Sequence, residues 1–477
     1  MHRERIKKNV KNFFFLLISN IGGKLLYFYF VTYIVKELGP TESGVLFTAQ
    51  TFTSMFTFLF SLGLDMLIIR EIAKDKSKAG LYTGNALLLK IFSSIFSILF
   101  ILISASVLSY QKDIFQLILI LTFGMTIINF TSTFEQVIRA YEKTDYLAVI
   151  SFFGMVFRVT TLVTAIHVGL GVVHCAIIIV IYDIIIGLAS VVYTYRNNLI
   201  NSLQIRKNEL TPIIQQALPF TLATIFATVY YRIDTVMISL IQSTDEVTRY
   251  HASYRILEGL LIIPNILGSV LFPVLSSFYY NKKILIDINQ NILKFVFTVS
   301  FLLSSVLIVN ANSIYILLFS NRLSDSVLIF QILLSSLPVT AFCCASATLF
   351  SATGRQHINL IITIVVLVTN FLLNLIIIPR YGALGAAATT LTSELIGIVF
   401  HLIFNRDYIN LIFFIKESLR PIAASAIMVI SLNWINASSL LLNIFVGVLI
   451  FLIGLFFAGG IKRSDFILVR SLMDQKI

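Results

Sequence analysis

Charge is scarce in this sequence: 12% of its 477 residues are Asp, Glu, Lys or Arg, against 58% hydrophobic, and mean hydropathy is +0.93. An ordinary soluble domain of this length is excluded by that balance. Cysteine is sparse too. Cys175, Cys343 and Cys344 lie in apolar stretches with no His or carboxylate at ligand spacing, and adjacent cysteines rarely meet disulfide geometry. No metal site is expected, and the three read as plain buried thiols. Long polar loops are missing as well: none exceeds about 20 residues, which leaves no soluble domain to house catalytic residues or a cofactor. Short alternating strands of the kind that build a membrane barrel are absent.

What is present is a succession of apolar runs of 20 or more residues, and in hydrocarbon such runs must close their backbone hydrogen bonds as helices. The expected fold is an all-α polytopic membrane protein of about 14 transmembrane helices. The segments are 12–35, 44–69, 81–108, 114–138, 147–168, 172–194, 213–241, 249–276, 291–309, 327–351, 358–378, 382–404, 417–436 and 439–459. The opening MHRERIKKNVK imitates the basic start of a signal peptide, but the apolar stretch after it runs to about Val35, and no small-residue cleavage site follows. It reads as the first span.

Basic residues orient the chain. With the N-terminus inside, the inner segments and their edges hold 25 Lys and Arg, and the outer loops hold 5: Lys36, Lys112, Arg249, Arg322 and Arg380. Both termini are therefore expected on the cytoplasmic side of the cell membrane. The net charge of +12 is chiefly this orientation signal, and nucleic acid is not an expected partner. The sequon Asn436-Ala-Ser438 sits in a very short outer turn and carries little weight.

The longest polar connection, residues 195–212, separates a first six-helix lobe (1–194) from a second (213–404), and 405–477 adds two helices and a cytoplasmic tail. LGPTESGVLFTAQTF (38–52) and STDEVTRYHASYRI (243–256) echo each other across this linker at an offset of 204. Both begin with turn chemistry and an acid, Glu42 or Glu246, and then re-enter the membrane. Paired repeats of this kind build many transporters, with the substrate path between them.

A charge near the bilayer centre costs about 2.5–3.5 kcal/mol on insertion scales, so it persists where it faces a wet cavity or finds a partner. Lys24, Arg158, Asp183 and Glu394 lie near mid-span. Arg232, Asp234, Arg255 and Glu258 lie in outer halves, and Asp65, Lys90 and Glu135 lie nearer the inner ends. Lys90 can snorkel to cytoplasmic headgroups and Asp65 can reach interfacial water, so a structural role suits both. Glu394, in a Gly- and Ala-rich span, can hydrogen-bond to a neighbouring helix. Arg255 and Glu258, three apart, can pair along their own helix. Lys24 and Arg158 are central and share a half whose one central acid is Asp183, so a cavity-lining role suits them better. Arg232 and Asp234 point roughly 200° apart around their helix and do not pair with each other. Tyr27, Tyr29, Tyr230 and Tyr231 accompany these charges, as aromatic rings suited to sugar stacking or to the membrane interface. Within the spans five basic residues face six acidic ones, so counting alone does not make the interior cationic.

LGPTESGVLF, SLGLDMLIIREIAK (61–74), YYRIDTVMI (230–238) and LIIIPRYGALGAAATTLTSEL (375–395) together carry a resemblance. Over essentially the whole chain the sequence resembles the polysaccharide biosynthesis export proteins. These are Wzx-type lipid-linked oligosaccharide flippases of the multidrug/oligosaccharidyl-lipid/polysaccharide exporter superfamily. Gly39, Pro40, Gly44, Gly63, Arg70, Glu71, Asp234, Pro379, Tyr381, Gly382 and Gly385 occupy the matching motif positions, while Thr248 stands where the family often has Gly. The resemblance implies two six-helix bundles plus two helices, alternating between inward and outward openings. It implies as cargo an isoprenoid (pyro)phosphate bearing a sugar chain, driven by a proton or sodium gradient, with membrane lipids and other polysaccharide-assembly proteins as partners. On that basis Lys24 and Arg158 hold the phosphate near mid-membrane and Arg232 and Arg255 receive it further out. Asp183, Asp234 and Glu258 release those cations or carry a coupling ion. A multidrug exporter of the same superfamily usually has twelve spans and would be ill served by central cations. A glycan polymerase would need a larger external loop. A lipid II flippase would differ in cargo alone.

Overall fold

A computed structural model describes residues 2–435 and 439–460. The 436–438 sequon and most of the C-terminal tail lie outside the described residues. Among the described residues there is no strand. Sixteen α-helices follow in order: α1 (His2–Met55), α2 (Thr57–Ser61), α3 (Leu64–Lys74), α4 (Ala79–Val107), α5 (Lys112–Ala140), α6 (Thr144–His167), α7 (Val172–Arg196), α8 (Lys207–Ile241), α9 (Thr244–Leu260), α10 (Ile262–Ser277), α11 (Lys282–Val309), α12 (Ala311–Phe319), α13 (Val327–Ala352), α14 (Gln356–Phe404), α15 (Leu411–Ile435) and α16 (Leu440–Phe457).

Each expected segment falls on these helices. Among the described residues, eleven helical stretches are singly long and apolar enough to cross a membrane. Dividing α14 at Gly382, and α1 at Gly39 with its second part continued through α2 and α3, brings the segments to fourteen. The two dividing residues explain how one run of helix makes two spans. Gly39 has φ 82° and ψ 176°, and Gly382 has φ 54° and ψ −135°. These conformations are open essentially to glycine, so the chain reverses at one residue and resumes helix at once. Pro40 and Pro379 stand beside or near the breaks, where a missing amide hydrogen is tolerated.

Two features differ from the expectation. The second span is not one rod: Leu62 and Gly63 both have positive φ, and the helix is bent by 43° there. The connection between 291–309 and 327–351 holds the short helix α12, tied down by buried Tyr315 and Phe319 and by the hydroxyl contact of Tyr315 with Ser253.

By packing, the chain divides into two compact units, residues 1–252 and 253–477. The first has a core of Leu64, Leu67, Ile72, Phe134, Val137 and Ile138. There α5 and α7 approach closely, with Gly187 against the Thr131 side chain. The second has one core around Leu293, Phe297, Phe342 and Leu349, and another around Val306, Met428 and Phe451 that fastens α15 and α16 to α11. This boundary differs from the linker at 195–212 because α8 packs on α1 and α3 within the first unit. Packing and repeat order divide the chain at different places.

Inside the first unit the two echoing stretches meet. A Cβ on Gly44 would lie 2.0 Å from the Thr244 carbonyl oxygen, the Thr248 hydroxyl donates to the Pro40 carbonyl at 2.6 Å, and Phe47 stacks on His251. Thr248, the departure from the family pattern, is thus used as a hydrogen-bond donor.

Candidate anion-binding site

The register between α1 and α6 builds the site. The Ser19 hydroxyl donates to the Ala148 carbonyl at 2.7 Å, Gly22 sits under the Phe152 ring, and Gly23 lies against Met155. Continuing one turn brings Tyr27 to Arg158, whose guanidinium lies 6.0 Å from the ring centroid. α7 presents Tyr182, 5.2 Å from the same guanidinium. Gly154 admits that ring, since a Cβ there would meet Tyr182 at 2.9 Å. Arg158 therefore lies over two aromatic rings.

Its electrostatics follow from what does not touch it. Among the described residues Arg158 has no ion pair or hydrogen bond, and its Nε is buried without a partner. Asp183 follows Tyr182 on α7 and is within electrostatic reach of Arg158, yet the two form no ion pair. The Asp183 carboxylate instead looks toward α5, with Oδ2 3.7 Å from where a Cβ on Gly124 would be. Lys24 lies one turn before Tyr27 on α1, is exposed, and has no ion pair or hydrogen bond among the described residues. Arg158 and Asp183 thus lie in one region of the first unit, with Glu135 also within electrostatic reach of Asp183, and Lys24 stands in the same unit one turn before Tyr27 on α1.

The other singled-out charges are placed differently. Arg232, half-buried on α8, has no ion pair or hydrogen bond among the described residues. Asp234 is buried and accepts a hydrogen bond from the Tyr250 hydroxyl at 2.6 Å. In the second unit Arg255 pairs with Glu258 on the same helix at 2.6 Å, the intrahelical alternative that their spacing offered. Glu394 is buried on α14.

Lys90 corrects an expectation. It does not snorkel. It is fully enclosed, and its ammonium reaches Asp65 at 2.6 Å, the Asn129 carbonyl at 2.8 Å and Ser132 at 3.0 Å. Asp65, expected to reach interfacial water, is its ion-pair partner. All three N–H donors of the lysine are engaged, so the pair is structural. Tyr182, Tyr250 and Gln50, which accepts from the Tyr27 hydroxyl at 3.2 Å, were not singled out by sequence reasoning. A tyrosine in an apolar helix gives no signal of which charge it will face.

A family profile described as "Polysaccharide biosynthesis protein" matches residues 9–279, a range that contains Lys24, Arg158, Asp183, Arg232, Asp234, Arg255 and Glu258. The chain belongs to that family. For this polysaccharide biosynthesis family member, no relative is found among curated proteins. Solved structures share its fold. A lipid II flippase MurJ in an inward closed conformation matches with TM-score 0.75 at 16% identity, over 92% of this chain and 97% of that one. An inward-facing multidrug resistance transporter of the MATE family, MOP superfamily, matches with TM-score 0.67 at 16% identity, over 80% and 94%. A MOP superfamily transporter from Pyrococcus furiosus, described as having a binding pocket of reverse polarity, matches with TM-score 0.61 at 16% identity, over 84% and 95%. At this identity the likeness is one of fold.

Proposed function

We propose that the chain is a flippase that carries an isoprenoid (pyro)phosphate-linked oligosaccharide from the cytoplasmic to the outer leaflet by alternating access, for surface polysaccharide or glycan assembly. It is a transporter and not an enzyme in this reading. The observation that carries it is Arg158, a mid-span guanidinium held by aromatic rings and not by a carboxylate, with Lys24 one turn from Tyr27. A half-buried cation near mid-span with no ion pair among the described residues is a costly feature that an anionic ligand offsets. Membership of a polysaccharide biosynthesis family supplies the cargo class, and the flippase fold supports the transport mode.

In this reading Lys24 and Arg158 hold the phosphate groups and Arg232 takes them over further out. Arg255 joins once its pair with Glu258 opens. Asp183, Asp234 and Glu258 balance these cations or carry a coupling proton or sodium ion. Residues 1–194 and 213–404 act as the two lobes, 405–477 is an addition, and both termini face the cytoplasm. Membrane lipids and other polysaccharide-assembly proteins are the partners. A multidrug exporter is the alternative within the same superfamily, and the unpaired cations disfavour it because they repel cationic cargo.

Reconstitution into liposomes with a fluorescent isoprenyl diphosphate glycan tests the reading. The wild-type protein should expose the label to an impermeant quencher, and Lys24→Glu, Arg158→Glu or Arg232→Glu should abolish exposure with the protein still inserted. Transport that survives all three reversals, or efflux of a cationic dye in place of the glycan, rejects it.

A further inference from the structure

The enclosed Lys90 and several half-buried cations among the described residues meet different kinds of partner. Lys90 spends its three donors on Asp65, Asn129 and Ser132, and Arg255 is paired with Glu258. Lys294 and Arg420 both reach Glu417. In each case a carboxylate contacts the cation, Glu417 being shared by two of them. Arg158 is held by ring faces, 5.2 Å from Tyr182 and 6.0 Å from Tyr27. A ring quadrupole attracts a guanidinium without cancelling its charge and without taking up its N–H donors. The Nε is buried without a partner, and the side chain as a whole is half-buried.

The rings are themselves fixed. The Tyr27 hydroxyl donates to Gln50, which joins the part of α1 before Gly39 to the part after it. Tyr182 is seated against Gly154. Because a planar guanidinium binds phosphate through a fork of donors, its orientation decides whether it grips an anion well. We infer that Tyr27 and Tyr182 are positioning residues of an anion site, holding Arg158 by their ring faces so that its charge and outer N–H groups are presented to a phosphate or diphosphate group. This rests on the anion-binding reading of Arg158, and it assigns to the two tyrosines a role beyond packing or sugar stacking.

The test uses the full chain in nanodiscs and two probes, geranylgeranyl diphosphate and geranylgeraniol, which differ in the anionic group. The quantity read is the preference for the diphosphate. Tyr182→Phe keeps the ring and should stay within about twofold of wild type, whereas Tyr182→Leu and Tyr27→Leu should reduce the preference by roughly tenfold with alcohol binding unchanged. A merely structural role would weaken both probes together. Tyr182→Met serves if the leucine variant does not fold, with the same expectation. Arg158→Gln separates the two layers of argument. If it leaves the preference intact, the anion-binding reading of Arg158 fails. If it removes the preference while the leucine and methionine variants retain it, or if Tyr182→Phe loses it, the positioning role is wrong and the anion site stands.

Discussion

Phe47 stacks on His251 with ring centroids 4.3 Å apart and planes 12° from parallel, and the two residues are separated by the repeat offset of 204. Each is the other's counterpart. The flanking contacts obey the same exchange: Gly44 meets Thr244 and Thr248 meets Pro40, and adding 204 to Pro40 or Gly44 gives Thr244 or Thr248. Within the first unit each stretch therefore offers the other the same positions that it receives.

The reciprocal contact should be less tolerant of bulk than of a lost hydrogen bond. Gly44→Ala drives a methyl into the Thr244 backbone and should cost about 1–3 kcal/mol as overpacking. Thr248→Val removes one hydrogen bond and should cost about 0.5–1.5 kcal/mol. Melting temperatures in detergent should fall in that order, and the reverse order would place the close approach elsewhere.

The Asp65–Lys90 pair should behave as a buried ion pair. Lys90→Met or Asp65→Asn strands a charge or its acceptors and should destabilise by about 3–5 kcal/mol for the lysine, less for the partly exposed Asp65. The double variant should cost less than the two singles together. A double-mutant cycle that closes additively would show that the residues do not interact.

Gly39 and Gly382 should resist substitution for backbone reasons alone. Alanine at either position strains a conformation that L side chains rarely adopt, at a cost of about 1–3 kcal/mol. Gly259→Ala is the control, since its surroundings are open and its helical backbone favours alanine. It should melt at or above the wild-type temperature.

The orientation can be read by labelling. In a cysteine-free background, single cysteines at Lys112 and Arg322 should react with an impermeant maleimide added outside, and those at Lys76 and Lys207 should react only after permeabilisation. The opposite pattern would reverse the assigned topology.

Much of this architecture is legible in the sequence because it depends on local properties. Apolar runs of sufficient length fix the helices, Gly39 and Gly382 fix the two abrupt reversals, and the lysines and arginines between spans suggest which ends face inward. Hydrocarbon enforces these rules on each segment separately, so no knowledge of neighbours is needed. Shorter-range irregularities were less visible. The bend at Leu62–Gly63 follows from two successive positive-φ residues, one of which is a leucine. The ordered helix α12 occupies what reads as a loop.

The fates of the buried charges were decided by tertiary structure. Lys90 and Arg158 look alike in sequence, each a cation inside an apolar helix with no acid nearby on the same helix. One meets Asp65 from α3, and the other meets Tyr27 from α1 and Tyr182 from α7. Arg255 finds its acid one turn along its own helix, as spacing allowed, but spacing could not say that it would. Composition and periodicity report how much charge a helix carries and on which face. Which partner meets that face depends on the register between helices distant in the chain, and here that register is set by close contacts such as Ser19 with Ala148 and Gly22 with Phe152.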